Sequence, residues 1–148
     1  MTGEERVEGL AFVDTNILVY ALEQGHSSRK VTAQRLLSRL MDEDRIRLST
    51  QVLQELFVTL TRKVRRVCSA EEALTRLEDL TAWPLFVVDY AAIREAGLLA
   101  RDAALSFWDA LIVVAAARSG ASTLYTEDLS HGQKILGVRV IDPFRAVR

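Results

Sequence analysis

Short apolar segments without alternating polar residues are the feature that most restricts the fold of this 148-residue chain. Segments with helical spacing of apolar residues separate the first four of them. Short strands of this kind are buried on both faces, which is typical of a parallel sheet covered by helices on each side. The sequence therefore predicts a three-layer α/β fold around a mostly parallel sheet of about five short strands. The predicted strands are 10–13, 46–50, 84–88, 122–126 and 138–142.

The composition is that of an ordered globular protein. Hydrophobic residues make up 49% of the chain, and there are only seven glycines and two prolines. No repeat, low-complexity tract or Pro/Gly-rich linker divides the sequence, so we expect one domain over residues 1–148. Nineteen bases against twenty acids give a formal net charge of −1, so no global charge indicates nucleic-acid binding. A local basic patch could still bind nucleic acid.

Three features bear on the compartment. The longest uninterrupted apolar run, Ala110–Ala117, is far too short to span a bilayer. The N-terminal residues 1–9 carry more acid than base and no apolar core, so we do not expect a signal peptide. The single cysteine, Cys68, excludes an internal disulfide and a multi-cysteine zinc site, and it fits a reducing compartment. We expect a soluble cytoplasmic protein with no membrane partner.

Serine and threonine residues mark the predicted helix starts. Ser69 and Glu72 have the spacing of a capping box. Other candidate caps precede the second and third helices, and these are Ser27, Ser28, Ser49 and Thr50.

Asp14 stands between the first predicted strand and the helix that follows it. Aspartate is a favoured helix N-cap, because its carboxylate accepts hydrogen bonds from otherwise unpaired N–H groups. A second interpretation is a metal ligand, because ligands of parallel sheets bind at the carboxyl ends of strands where the strand order reverses. The local sequence does not decide between them.

Asp109 is the only charged residue between Asp102 and Arg118, inside the most apolar helix of the chain. Burying a lone carboxylate is costly unless it is paired or protonated. Ser106 and Asp109 also have the spacing of a capping box, so a structural role is the alternative.

Two further acids have positions suited to the same edge of the sheet. Asp128 follows the strand 122–126 by two residues and could otherwise be an ordinary loop acid. Glu55 flanks the apolar face of the third helix and could otherwise be a solvated glutamate. Carboxylates held close together repel one another, so a cluster of all four acids would require protons or a hard cation such as Mg²⁺ or Mn²⁺. Such a site is suited to phosphodiester hydrolysis.

Four motifs, in order, resemble those of the PIN-domain nucleases, and especially the VapC-like toxins of type II toxin–antitoxin systems. They are "FVDTNILVY", "STQVLQELF", "LSFWDALIVVAAARSGAS" and "LYTEDL". The resemblance implies a PIN-like α/β/α sandwich and a metal-dependent endoribonuclease that hydrolyses RNA phosphodiester bonds. It also implies which acids are catalytic: Asp14, Glu55, Asp109 and Asp128.

The resemblance further implies that Asp14, Asp109 and Asp128 bind the metal, with Asn16 and Thr126 as supporting polar residues. Many relatives carry a second acid two residues after the one matched to Asp128, whereas this chain has Ser130. Glu127 is adjacent and could share that role.

The family also implies a cofactor and partners. The cofactor would be Mg²⁺, with Mn²⁺ as a possible substitute, and cleavage would leave 5′-phosphate and 3′-hydroxyl ends. The partners would be an RNA substrate, a small VapB-like protein antitoxin and a second copy of the chain in a homodimer. Phe57 and Leu60, if partly exposed, could belong to the dimer or antitoxin groove.

A basic stretch follows the predicted Glu55 helix. Its bases could complement the dipole at the end of that helix, or they could contact the phosphate backbone of RNA, together with Arg29 and Lys30. The four bases are Arg62, Lys63, Arg65 and Arg66.

Two other functions stay open at this point. An aspartyl phosphatase would require a second acid at position 16, which is Asn16, and a phosphoacceptor domain would require a late lysine, for which Lys134 is only a loose candidate. A catalytically inactive PIN-like binding module is the third possibility, although the four acids argue against it. Trp83 and Trp108 are expected in the core.

Overall fold

The computed structural model describes residues 9–147. Residues 1–8 and 148 lie outside the described part, and with them lies nearly all of the segment for which we expect no signal peptide.

All six strands belong to one sheet, with the order β3-β2-β1-β4-β6-β5. Every neighbouring pair is parallel except β5 and β6, which confirms the predicted mostly parallel sheet. The third strand is shorter than predicted. The strands are β1 (Leu10–Val13), β2 (Ile46–Ser49), β3 (Leu85–Phe86), β4 (Ala121–Tyr125), β5 (Lys134–Ile135) and β6 (Val138–Ile141).

Strand β5 lies in a segment that was predicted to be a polar loop. It pairs with β6 through Ile135 and Val138, so the turn contains only Leu136 and Gly137. Both turn residues have positive φ, 51° and 79°, as the tightest hairpin turns require. Leucine is not a residue that signals such a turn, and the sequence therefore gives little sign of this hairpin.

Six helices and a short 3₁₀-helix complete the fold. Ser27, Ser49, Ser69 and Ser106 each accept a hydrogen bond from the N–H three residues on, which confirms the predicted caps at these positions. The helices are α1 (Thr15–Leu22), α2 (Ser28–Asp42), α3 (Thr50–Thr61), α4 (Ala70–Leu80), α5 (Tyr90–Ala103) and α6 (Phe107–Arg118), with the 3₁₀-helix at Arg145–Val147.

The helices divide into two layers. Helices α1 to α4 form one contacting group, whereas α5 packs against α6. Because crossovers between parallel strands are right-handed, connections that run in opposite directions along the sheet place their helices on opposite faces. The predicted three-layer sandwich is therefore the observed one.

Helix α6 is the most buried helix of the chain. It contacts β2, β4 and β6 on one side and α5 on the other, which explains why its apolar residues surround it completely. Residues 110–116 are all buried. Within residues 9–147, neither α6 nor any other helix is long and apolar enough to cross a membrane.

The strand order reverses between β1 and β4. The chain leaves β1 towards β2 on one side, whereas β4 lies on the other side of β1. Val13 pairs with Tyr125 at the carboxyl ends of these strands, so Asp14 and Thr126 are the first residues beyond them. The Asp14 N–H donates to the Tyr125 carbonyl over 3.0 Å. Asp14 therefore lies where ligands of parallel sheets usually bind.

Candidate acidic metal site

The carboxylate of Asp14 is held in place by two donors. Asp14 is only 6% exposed. Its Oδ1 accepts from the Thr15 N–H over 2.7 Å, and its Oδ2 accepts from the Thr126 hydroxyl over 2.8 Å. Asp14 is thus the N-cap residue of α1 and also part of a contact between two strand ends. The two interpretations of this acid are therefore compatible.

The side-chain amide of Asn16 joins Asp14 to Asp128. Its Nδ2 donates to Asp128 Oδ2 over 3.0 Å and lies 3.4 Å from Asp14 Oδ2. The same nitrogen lies 3.3 Å from the Thr126 hydroxyl, which also accepts from the Asp128 N–H over 3.1 Å. The Asn16 Oδ1 is buried and has no hydrogen-bond partner in the described part of the chain. An acceptor is therefore left available beside the two carboxylates.

Glu127 contacts Tyr20 and Arg29 rather than Asn16. The Tyr20 hydroxyl donates to its Oε1 over 2.8 Å, and the Arg29 guanidinium lies 3.8 Å from its Oε2. Arg29 also donates to the Tyr20 hydroxyl over 2.7 Å. Of the two neighbouring acids, Asp128 contacts the Asn16 network, whereas Glu127 forms an ion pair beside it.

Glu55 reaches the same region from α3. It lines a pocket of about 330 Å³ together with Asn16, Arg62, Glu127 and Asp128. We call this the acidic pocket. Asp14 and Asp109 do not line it.

Asp109 approaches from the first turn of α6. Its N–H donates to Ser106 Oγ over 3.1 Å, so the predicted cap exists. The residue is half-buried, whereas the sequence predicted a buried position. Its charge raises the pKa of Glu55, which places the two acids on facing elements.

Gln51 links α3 to α6, and it was not among the residues predicted for the site. It is 3% exposed, and its Nε2 donates to the Trp108 carbonyl over 3.2 Å, which ties α3 to the start of α6. Gln51 lies one turn before Glu55 and hydrogen-bonds its carboxyl. The sequence contains one signal for this residue, because Gln51 is an amide at a position on the apolar face of α3.

Burial and neighbouring negative charges raise the pKa of Asp14 and of Glu55. Burial raises the pKa of Asp14 to about 7, with smaller upward contributions from Asp128 and Glu55, although Thr126 and Thr15 donate to the carboxylate. Burial also raises the pKa of Glu55, as do the charges of Asp128 and Asp109, whereas the hydrogen bond from Gln51 lowers it. Negative charge is therefore unfavourable here, and a bound cation would relieve it.

The donor chemistry fits a hard cation. Among residues 9–147, no three His, Cys, Asp or Glu side chains come together in a group that could hold a metal ion by itself. Mg²⁺ does not require such a cage, because it usually keeps several waters and binds one or two carboxylates together with substrate phosphates. Asp14, Asp128 and the free Asn16 Oδ1 supply oxygen atoms of this kind.

The basic stretch begins where α3 ends. The last turn of α3 contains no basic residue, because the helix ends at Thr61. All four bases are exposed, but of these only Arg62 lines the acidic pocket. Arg62 is therefore the one base of this stretch that borders the acidic pocket.

One apolar prediction was wrong, and a second depended on exposure that the structure does not show for Leu60. Trp108 is 63% exposed rather than part of the core, because the first turn of α6 extends past its covered part and full burial begins at Ala110. Leu60 is completely buried, so it is not available to a partner, whereas Phe57 is half-buried. Trp83 packs partly buried against the core, as predicted.

A sequence model of the PIN domain family matches residues 11–133. The chain belongs to the PIN domain family. It is 32% identical over 120 residues to Ribonuclease VapC23 of Mycobacterium tuberculosis, which covers 80% of this chain and 93% of that protein. The resemblance found in the four motifs is thereby confirmed.

Several solved structures share the fold at lower identity. The crystal structure of VapC20 of Mycobacterium tuberculosis, a Sarcin-Ricin loop cleaving toxin, has a TM-score of 0.60 and 22% identity, and covers 80% of this chain and 89% of that one. A toxin–antitoxin complex from Klebsiella pneumoniae has a TM-score of 0.66 and 20% identity, with coverages of 90% and 97%. The DNA-bound VapBC complex of Salmonella typhimurium has a TM-score of 0.63 and 20% identity, and the match covers 92% of this chain and 99% of that one.

The phosphoacceptor alternative lacks its lysine. Lys134 lies on β5, the edge strand, and does not line the acidic pocket. Asn16, at the position where an aspartyl phosphatase would carry its second acid, donates to the carboxylates instead.

Proposed function

We propose that this PIN-domain protein is a metal-dependent endoribonuclease that hydrolyses RNA phosphodiester bonds. The observation that carries the proposal is the Asn16 amide, which brings the carboxylates of Asp14 and Asp128 together where the strand order reverses. Family membership supplies the reaction class. The catalytic acids are Asp14, Glu55, Asp109 and Asp128.

The four acids have two roles in this proposal. Asp14, Asp109 and Asp128 would hold Mg²⁺, for which Mn²⁺ can substitute, and the bound ion supplies water activation and charge stabilisation at the scissile phosphate. Asn16 and Thr126 orient the carboxylates by donating to them. The raised pKa of Glu55 suits its carboxylate to accept a proton from the attacking water.

The test is cleavage of a panel of structured RNAs with Mg²⁺, with Mn²⁺ and with EDTA. We expect cleavage with either metal, none with EDTA, and 5′-phosphate and 3′-hydroxyl ends. Asp128→Asn should abolish cleavage. Glu127→Gln is the matched control, because Glu127 pairs with Arg29 rather than with the Asn16 network. Cleavage that survives both EDTA and Asp128→Asn would contradict the proposal.

We also propose that the chain works as one domain in the cytoplasm, as the toxin of a toxin–antitoxin pair, with a small protein antitoxin and a homodimeric state. The support is the similarity to solved toxin–antitoxin complexes. Co-purification with the product of an adjacent short reading frame tests the antitoxin, and light scattering of the purified chain tests the dimer. A monomer that no such product binds or inhibits would contradict both.

A further inference from the structure

A second cleft, with a volume of about 700 Å³, lies between α2, β6 and the 3₁₀-helix. Among residues 9–147, four arginines line it, and Asp142 is the only acid that does so. It shares no lining residue with the acidic pocket. We call it the arginine cleft, and its arginines are Arg35, Arg39, Arg139 and Arg145.

We propose that the arginine cleft binds backbone phosphates of the RNA substrate away from the scissile bond. The inference rests on the proposed ribonuclease function and adds a second binding site to it.

Two of the four arginines, Arg35 and Arg145, carry the argument for a ligand. Within residues 9–147, no carboxylate forms a salt bridge with Arg35 or Arg145, and both side chains are exposed. Arg39 lies beside the Tyr125 hydroxyl. Asp142 is buried, and its Oδ1 already accepts from the Phe144 N–H over 2.9 Å. The cleft is therefore a local basic surface on a chain whose formal net charge is −1.

The arrangement of the arginines favours an anion. Arg35 and Arg39 lie one turn apart on α2, so their like charges repel each other in the absence of a ligand. A concave surface lined by one sign of charge concentrates its field, and the guanidinium fork matches two phosphate oxygens. A phosphate group would relieve the repulsion and satisfy these donors.

Arg29 lies beside one residue of the acidic pocket and one residue next to the arginine cleft. The Arg29 guanidinium lies 5.3 Å from the ring centroid of Tyr20 and 5.9 Å from that of Phe144. The two rings contact each other edge to face at 4.8 Å. Tyr20 lines the acidic pocket, and Phe144 directly precedes Arg145 of the cleft. An RNA strand with its scissile phosphate at the acidic pocket can therefore run past Arg29 into the cleft.

The experiment compares two double variants of equal charge change. Arg35→Gln with Arg145→Gln alters the cleft, whereas Arg76→Gln with Arg94→Gln alters exposed arginines of α4 and α5 outside both pockets. Binding of a long structured RNA is measured at several salt concentrations, with Asp14→Asn added to prevent cleavage. Loss of two phosphate contacts should reduce the slope of log K against log salt by about 1.4 to 1.8, and the control pair should not change it.

Cleavage kinetics supply the second measurement. In the otherwise unchanged chain, the cleft variant should raise KM for the long RNA without changing kcat. The unaltered chain and the cleft variant should cleave a dinucleotide equally, since a dinucleotide cannot occupy the acidic pocket and the arginine cleft at once. Each single substitution, Arg35→Gln or Arg145→Gln, should give about half of the change in the slope of log K against log salt. The single variants keep the test valid if the double variant folds poorly.

The outcomes separate the two proposals. If the unaltered chain neither binds nor cleaves RNA, the proposed function fails and the cleft inference fails with it. If the unaltered chain cleaves RNA but the cleft variant matches the control in slope and KM, the cleft inference alone is overturned. The same holds if the cleft variant loses binding to polyglutamate while its RNA binding is unchanged, because the cleft would then take an acidic protein segment.

Discussion

Asn16 Nδ2 donates to Asp128 Oδ2 over 3.0 Å, although the two residues are 112 positions apart in the chain. The same amide lies 3.4 Å from Asp14 Oδ2, so one neutral donor serves two carboxylates. A hydrogen bond to the charged form of a carboxylate favours that form. Asn16 therefore makes the proximity of Asp14 and Asp128 tolerable in the absence of a cation.

Replacing Asn16 by Asp should destabilise the metal-free chain. The substitution removes the donor and adds a third carboxylate beside the other two, so we expect a lower melting temperature at about pH 8, with a smaller loss at about pH 5, where carboxylates become protonated. Asn16→Ala is the control, since it removes the donor without adding charge. Equal losses for both variants at both pH values would contradict this account.

The pKa of Asp14 predicts a pH dependence of stability. Burial raises this pKa from the ordinary 3.8 to about 7, so between those values the folded chain binds more protons than the unfolded one. The free energy of unfolding should therefore fall as the pH rises through this window, with an upper bound of about 4 kcal/mol. Asp14→Asn should remove this dependence. Thermal melts of both chains across the window give the difference directly, and a difference independent of pH would disprove the cause proposed here.

Substitutions at Asp109 and Ser106 distinguish a catalytic role of Asp109 from a role in helix capping. Ser106→Ala removes the acceptor for the Asp109 N–H and should cost about 1 kcal/mol of stability while cleavage survives. Asp109→Asn keeps the backbone N–H that bonds to Ser106 and removes one charge facing Glu55, so stability should hold or rise while metal-dependent cleavage is lost. The measurements are a melt and a cleavage assay for each variant. A destabilised but fully active Asp109→Asn chain would remove this residue from the proposed site.

Arg62 should matter more than the rest of the basic stretch. It lines the acidic pocket, whereas Arg66 belongs to the same exposed segment but does not line the pocket. Arg62→Gln should therefore reduce cleavage and lower the salt dependence of RNA binding by roughly one phosphate contact. Arg66→Gln is the matched control and should have a smaller effect. Equal effects of Arg62→Gln and Arg66→Gln on cleavage and RNA binding would contradict a special role for the arginine at the pocket.

Metal binding should stabilise the folded chain. A ligand that binds only the native state at a hundredfold excess over its Kd adds about 2.7 kcal/mol. For a chain of this size, that corresponds to a rise in melting temperature on the order of 5–10 °C. Melts with Mg²⁺, Mn²⁺ and EDTA test it, and Asp14→Asn should shrink the rise. An unchanged melting temperature with both metals would count against a preformed site.

The sequence by itself determined the features that depend on neighbouring residues. The bounds of β1, the serine caps and the apolar character of α6 follow from residues a few positions apart, and the structure agrees with them. The mostly parallel sheet follows from the lack of polar alternation in its strands. The same pattern placed Asp14 at the carboxyl end of a strand, and the four motifs identify the family without any tertiary contact.

Only the tertiary structure decided features that depend on residues far apart in the chain. Asp128 contacts Asn16, whereas Glu127 contacts Tyr20 and Arg29, and the local sequence does not indicate this difference. The arginine cleft joins α2 to the C-terminal segment and has no signature in local sequence, because its arginines are ordinary exposed residues when each is considered alone. Hydrogen bonds and electric fields act through space, whereas caps and periodicity act along the chain, and for this reason the fold could be predicted more completely than the site.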